Sequence, residues 1–230
     1  MLNVDKLSVA YGQSTIIRNF SFEAKPMETV AIMGRNGMGK TTLMKSLIGV
    51  LKPTNGSISV DGKDVTKQES YARVNSGIAY VPQGRQIFSS LSVEDNILTG
   101  LETVKDKKRF SDNIYGLFPV LYEMRRRKGG NLSGGQQQQL AIARALVSEP
   151  KVLLLDEPTE GIQPSIIKDM AKVLNEIKKL HNLTIIVSEQ VLSFALDVAD
   201  RLIVIESGKA VHEDTRANVD EASVSKYLSV

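Results

Sequence analysis

Polar and apolar residues alternate from Leu2 to Tyr11, and a second run follows over residues 16–23, so the chain is predicted to open on strands. Residues 28–33 form a short apolar run ending at Gly34, the pattern of a buried strand. Leu43, Met44, Leu47 and Ile48 then keep helical spacing from Lys40 to a stop at Gly49. Residues 53–56 read as a turn, and residues 57–60 and Ile78–Val81 as short strands. From Ser92 to Lys128 the pattern becomes helical and densely charged, with basic clusters at 105–109 and 125–128. This stretch reads as a helical subdomain inserted in an α/β body. A helix over 136–147, a strand over 152–155 and a long helix over 165–180 follow. Strands at 184–187 and 202–205 then flank a helix at 191–199. Strands alternating with helices imply a parallel sheet with helices on both faces.

Composition narrows the function more than the fold. The 230 residues suit one domain with at most a small subdomain, and 42% apolar with 24% charged residues excludes wholesale disorder. The net charge, 29 − 26 = +3, is too small to argue for nucleic acid, and none is expected as a partner. The absence of cysteine excludes disulfides, iron–sulfur ligation and Cys-based zinc sites. His181 and His212 are the only histidines, so a His-rich metal centre is excluded too. No apolar run approaches the ~20 residues of a membrane helix. Residues 1–6 lack the basic-then-apolar pattern of a signal peptide. Any membrane contact is expected to go through a partner.

Candidate chemistry starts at Gly34-Arg-Asn36-Gly37-Met-Gly39-Lys40-Thr41-Thr42, which fits Gly-x-x-x-x-Gly-Lys-Ser/Thr between a predicted strand and a predicted helix. Glycines let backbone N–H groups point inward around phosphate oxygens, and the helix N-terminus adds partial positive charge. Lys40 can reach the β- and γ-phosphates, and Thr41 offers a hydroxyl to Mg²⁺. The strand at 152–155 runs into Asp156 and Glu157. At the C-terminal edge of a parallel sheet, Asp156 would face the phosphates and bind Mg²⁺, directly or through water. Glu157 would accept a hydrogen bond from the attacking water. Ser133-Gly134-Gly135-Gln136 reads by spacing only as an N-cap and glycine turn opening a helix.

Leu132-Ser133-Gly134-Gly135-Gln136, downstream of a phosphate loop and upstream of an acidic pair, resembles the signature of ABC-type ATPases along essentially the whole chain. The resemblance implies an α/β P-loop NTPase core with a parallel sheet, an N-terminal antiparallel β-subdomain and an inserted α-helical signature subdomain. It makes residues 1–230 one ATP-binding domain, with 1–91 and 148–230 as core and 92–147 as the helical part. It implies ATP and Mg²⁺ as cofactors, and two subunits sandwiching two nucleotides, each signature meeting the γ-phosphate held by the opposite subunit. Tyr11 matches the aromatic residue that stacks on adenine. Gln83 matches the glutamine linking Mg²⁺ and the attacking water to the membrane partner.

Two positions depart from the common pattern. Gln190 stands where most of the family has a histidine near the γ-phosphate, and Gln163 where it usually has aspartate. Glutamine donates and accepts but stays neutral, so a protonatable switch is missing there. Glu189-Gln190 resembles importers of branched-chain amino acids, amides and urea. Residues 156–167, Gln136–Gln139 and 117–121 are most similar to the ATPase of urea importers. The reading is thus an ATPase on the cytoplasmic face of the membrane that drives a separate permease. A sister ATPase or a second copy completes the pair, and a solute-binding protein is an indirect partner. For permease docking the loop after Gln83 is the candidate, through Arg85, Ile87 and Phe88; otherwise these apolar residues tuck into the core. The 125–128 run reads as a solvated face, with lipid headgroups or the permease as rival contacts. Rival functions are a soluble ABC ATPase in cofactor assembly and a nucleotide-binding regulator without turnover. A GTPase is disfavoured because no Asn-Lys-x-Asp base-reading motif occurs.

Overall fold

The computed structural model describes residues 1–101 and 110–228. The basic cluster at 105–109 lies outside the described residues. Strands β1 (Leu2–Tyr11), β2 (Ser14–Ala24), β4 (Asn55–Val60) and β5 (Lys63–Asp64) form an antiparallel sheet ordered β2-β1-β4-β5. A second sheet of six strands is ordered β10-β9-β3-β8-β7-β6. It comprises β3 (Thr29–Met33), β6 (Ile78–Val81), β7 (Val152–Asp156), β8 (Thr184–Glu189), β9 (Arg201–Glu206) and β10 (Lys209–Thr215). Five of these strands run parallel; β10 folds back antiparallel on β9. The fully parallel sheet expected from the strand–helix alternation is therefore corrected at one edge. The cause is a tight turn at Ser207 and Gly208, both with left-handed φ (47° and 78°), which leaves no room for a crossover.

Side-chain alternation splits the six-stranded sheet between two cores. Ala31, Met33, Leu153, Leu155, Ile185 and Val187 face one way. There they meet α6 (Gly134–Leu146), α7 (Pro164–Leu180), α8 (Leu192–Val198) and α9 (Glu221–Leu228). Val30, Ile32, Val152, Leu154 and Ile186 face the other way. Their cover is α1 (Lys40–Ile48) together with the antiparallel sheet, so helices lie on both faces as expected, with the second face shared between a helix and the β-subdomain. Burial from both sides is why β3, β7 and β8 read as unbroken apolar runs. Each fully buried Val, Leu or Ile contributes about 1.5–3 kcal/mol.

Two features hold the phosphate-loop helix in place. Gly39 precedes α1 with φ 108°, and a Cβ there would lie 2.8 Å from Ile17 Cδ1, so backbone freedom and close packing both require glycine. At the far end, Arg73 of α2 (Ser70–Asn75) is fully buried. It donates to the carbonyls of Ser46 (2.7 Å) and Leu47 (2.9 Å), and to those of Thr66 and Gln68. A guanidinium suits the negative end of a helix, and here it fastens α1 to the segment leading into β6. Between β6 and α6 lie α3 (Val93–Leu98), α4 (Phe110–Leu117) and α5 (Pro119–Glu123), as the charged, helical pattern predicts.

Candidate functional site

The loop from Gly34 to Gly39 leaves the C-terminal end of β3 and enters α1. β7 delivers Asp156 and Glu157 to the same sheet edge, because β3 and β7 both pair with β8 in parallel. The edge carries a cavity of about 290 Å³. Tyr11 and Ile16 line it from the antiparallel sheet, Asn36, Gly37, Gly39, Lys40, Thr41 and Thr42 from the loop, and Gln83 and Glu157 from the far side. Tyr11 is 48% exposed, an aromatic face left open at the cavity.

Lys40 is buried, and its Nζ donates to the carbonyls of Gly34 (2.6 Å) and Arg35 (3.0 Å) and pairs with Glu157 Oε1 at 3.0 Å. Glu157 is buried too. Its Oε2 accepts from Gln83 Nε2 (3.2 Å) and its Oε1 from Gln190 Nε2 (3.3 Å). Gln190 Nε2 also donates to Asn36 Oδ1 at 2.8 Å. The Glu157 backbone has φ 47°, a conformation costing a side chain on the order of 1 kcal/mol. It is held there by its N–H donating to Ser188 O (3.0 Å) and Ser188 Oγ (3.2 Å). Asp156 Oδ1 accepts from Thr41 Oγ1 (3.2 Å) and Ser188 Oγ (2.6 Å), and Oδ2 from Tyr80 OH (3.1 Å). Burial pushes the Asp156 carboxyl above the ordinary range, while these donors pull against it. Burial, then the neighbouring Asp156 charge, pushes the Tyr80 phenol far up, so it stays a donor.

The donor set fits a magnesium–triphosphate complex. A hydroxyl and a carboxylate in contact offer hard oxygens, and Lys40 and Asn36 face the same cavity. No cluster of three or more His, Cys, Asp or Glu able to hold a metal occurs among the described residues. Mg²⁺ takes one or two carboxylates and completes its shell with water and phosphate, and Asp156 beside the Thr41 hydroxyl offers the protein's share of such a shell.

The structure thus brings together Tyr11, Asn36, Gly37, Gly39, Lys40, Thr41, Thr42, Gln83, Asp156, Glu157 and Gln190, with Gly34 at the root of the loop. Ser133, Gly134, Gly135 and Gln136 do not line this cavity. They open α6, where Ser133 and Gln136 form a reciprocal cap: Gln136 N–H donates to Ser133 Oγ at 3.4 Å, and Ser133 N–H to Gln136 Oε1 at 2.9 Å. Ser188 and Tyr80 are site residues that sequence reading missed. Their signal was a polar residue at the C-terminal end of an apolar strand of a parallel sheet.

A larger groove of about 1020 Å³ opens elsewhere, bordered by Tyr71, Ile87, Phe88, Gly100 and Arg144. Phe88 is 49% exposed with the Arg144 guanidinium 5.4 Å from its ring centre, whereas Ile87 packs against the core. Arg85 turns instead to the Glu160 carbonyl, at 2.8 Å. Gln163 caps α7 without a side-chain bond, and His181 stands at its other end. In the 125–128 run, Arg125 lies over the Tyr122 ring at 4.1 Å, and Arg126, Arg127 and Lys128 are exposed. No helix among the described residues is long and apolar enough to cross a membrane.

Residues 17–160 match the family described as ABC transporter. The chain is 40% identical over 219 residues to the high-affinity branched-chain amino acid transport ATP-binding protein BraG of Pseudomonas aeruginosa, covering 94% of each chain. It is 34% identical over 218 residues to a probable branched-chain amino acid transport ATP-binding protein LivF of Archaeoglobus fulgidus, covering 94% of this chain and 92% of the other. Among solved structures, MJ1267, an ATP-binding cassette of an ABC transporter, superposes with a TM-score of 0.89 at 26% identity, over 100% of this chain and 99% of that one. With the phosphate loop, the acidic pair and the α6 signature in one fold, the chain belongs to the ABC transporter family as an ATP-binding cassette, an ATPase that works with ATP and Mg²⁺.

Proposed function

We infer that this cassette is the ATP-hydrolysing subunit of an importer for a small polar solute, acting through a separate permease. The observation that carries this reading is the convergence of Lys40, Thr41, Asp156, Glu157, Gln83 and Gln190 at one sheet edge. In this reading the loop N–H groups from Gly34 to Thr42 and the Lys40 ammonium hold the phosphates, and Tyr11 stacks on the base. Thr41, Asp156 and Gln83 hold Mg²⁺, which when bound would neutralise charge on the phosphoryl oxygens. Glu157 accepts a hydrogen bond from the attacking water, and Gln190 and Gln83 orient that carboxylate from both sides. Ser133, Gly134, Gly135 and Gln136 present a helix N-terminus to the nucleotide of a second cassette, which explains a signature standing outside its own chain's cavity. That second cassette is a sister ATPase or another copy of this chain. Within the proposed helical unit, 92–147, the described helices α3, α4 and α5 lead into α6, which carries the signature. Mg²⁺-dependent phosphate release that Lys40→Ala abolishes is the expected test result.

The groove at Phe88 and Tyr71 is the proposed seat of the permease, which places the cassette on the cytoplasmic membrane face; a solute-binding protein would contribute only indirectly. For the cargo, the relatives named for branched-chain amino acid transport support a branched-chain amino acid. The resemblance of residues 156–167, 117–121 and Gln136–Gln139 supports urea. Uptake of labelled leucine against labelled urea in a deletion strain separates them, with loss of leucine uptake as the expected result.

A further inference from the structure

Glu189, the last residue of β8, is 2% exposed, yet it ends in a carboxylate. Burying such a group is costly unless donors surround it, and four do. Oε1 accepts from Thr159 N–H (3.0 Å) and Thr159 Oγ1 (2.7 Å). Oε2 accepts from the N–H groups of Gln190 (3.0 Å) and Val191 (3.3 Å). Its own carbonyl receives the Gly34 N–H at 3.3 Å. One side chain therefore ties the turn two residues beyond Glu157 to the backbone of Gln190, where both leave the sheet beside the phosphate loop. Gln190 and Glu157 in turn meet through Gln190 Nε2 and Glu157 Oε1 at 3.3 Å.

We propose that Glu189 is a positioning residue: its two oxygens set the spacing between Gln190 and Glu157, and so the geometry around the attacking water. This rests on the reading of Gln190 and Glu157 as the residues facing the γ-phosphate. Hydrogen bonds to a charged acceptor are about twice as strong as neutral ones, which is why a carboxylate serves here where an amide does not. Glu189→Gln turns a donor toward N–H donors and releases one of the two segments.

The test is a double-mutant cycle read together with the free protein. Glu189→Gln should lower kcat about tenfold while KM for Mg-ATP and affinity for a fluorescent ATP analogue stay within about twofold. In a Gln190→Ala background it should cause no further loss. In nucleotide-free protein it should shift the Gln190 side-chain amide resonance. Thr159→Val, which keeps the shape but removes the Oγ1 donor, should produce a smaller change of the same sign in both readouts, and it serves if Glu189→Gln folds poorly. A full Glu189→Gln loss retained in Gln190→Ala, or an unmoved Gln190 resonance in both variants, overturns the proposal. Gln190→Ala turning over at the wild-type rate sinks the underlying role of Gln190 instead, and the resonance alone then decides whether Glu189 holds it.

Discussion

Lys40 has three oxygen partners at 2.6–3.0 Å, and one of them is the carboxylate of Glu157. A phosphate approaching Lys40 must therefore compete with Glu157. Glu157→Gln removes the competing charge but leaves two carbonyl acceptors, so it should tighten ATP binding while lowering turnover about 100-fold or more. Fluorescent-nucleotide titration and phosphate release measure the two effects separately; unchanged affinity would mean the pair offers no competition. Asp156 carries a pH signature. Its carboxyl is raised by burial in the folded state, so between the ordinary carboxylate range and its folded pKa the folded protein holds the extra proton. Folding stability contributed by this group is present in acid and is lost as pH rises through the folded pKa. Asparagine accepts from Thr41 and Ser188 and donates to Tyr80 without a charge to desolvate. Asp156→Asn should therefore be no less stable than the parent at neutral pH, with a flatter pH profile in urea melts, and should lose Mg²⁺-dependent hydrolysis.

Among the elements, α6 shows how packing adds a demand that a motif alone does not reveal. Gly135 lies in its first turn, and a Cβ there would fall 2.6 Å from Ile166 Cγ2 on α7. The glycine is needed for close helix approach, independently of any nucleotide. Gly135→Ala should cost about 1–3 kcal/mol, and Ile166→Ala in the same chain should restore part of it, as read from urea midpoints. Additive losses would show that the two helices relax apart freely. The cap of the same helix is local by contrast. Ser133 and Gln136 stand three residues apart, and the sequence alone predicted the N-cap.

For the whole molecule, the signature helix and the phosphate cavity stand apart within one chain. With Glu157→Gln and ATP, sedimentation should show a particle of twice the mass, and Ser133→Arg in that background should keep it single. A mass that does not change with ATP under any condition removes the sandwich of two identical chains and leaves a sister ATPase as the one partner that could complete it. The Phe88 groove makes an independent prediction. Phe88→Ala should reduce recovery of the permease in affinity capture, with the basal ATPase of the free cassette unchanged.

The phosphate loop, the acidic pair and the buried strands were legible from residue order because each is a local pattern. The glycine spacing occupies one turn, and the apolar runs record burial from both sides. The edge strand β10 and helix α9 were not foreseen: β10 is largely exposed, α9 has Val224 as its one buried residue, and neither offers a strong period. Tertiary structure also chose which apolar run faces helices and which faces the second sheet, since alternation marks two faces without saying what covers them. It set the contacts of the site, too. Thr41 meets Asp156 across 115 positions and Tyr80 meets it across 76. Spacing along the chain is silent about such pairs, because the parallel sheet register alone brings those strand ends to one edge.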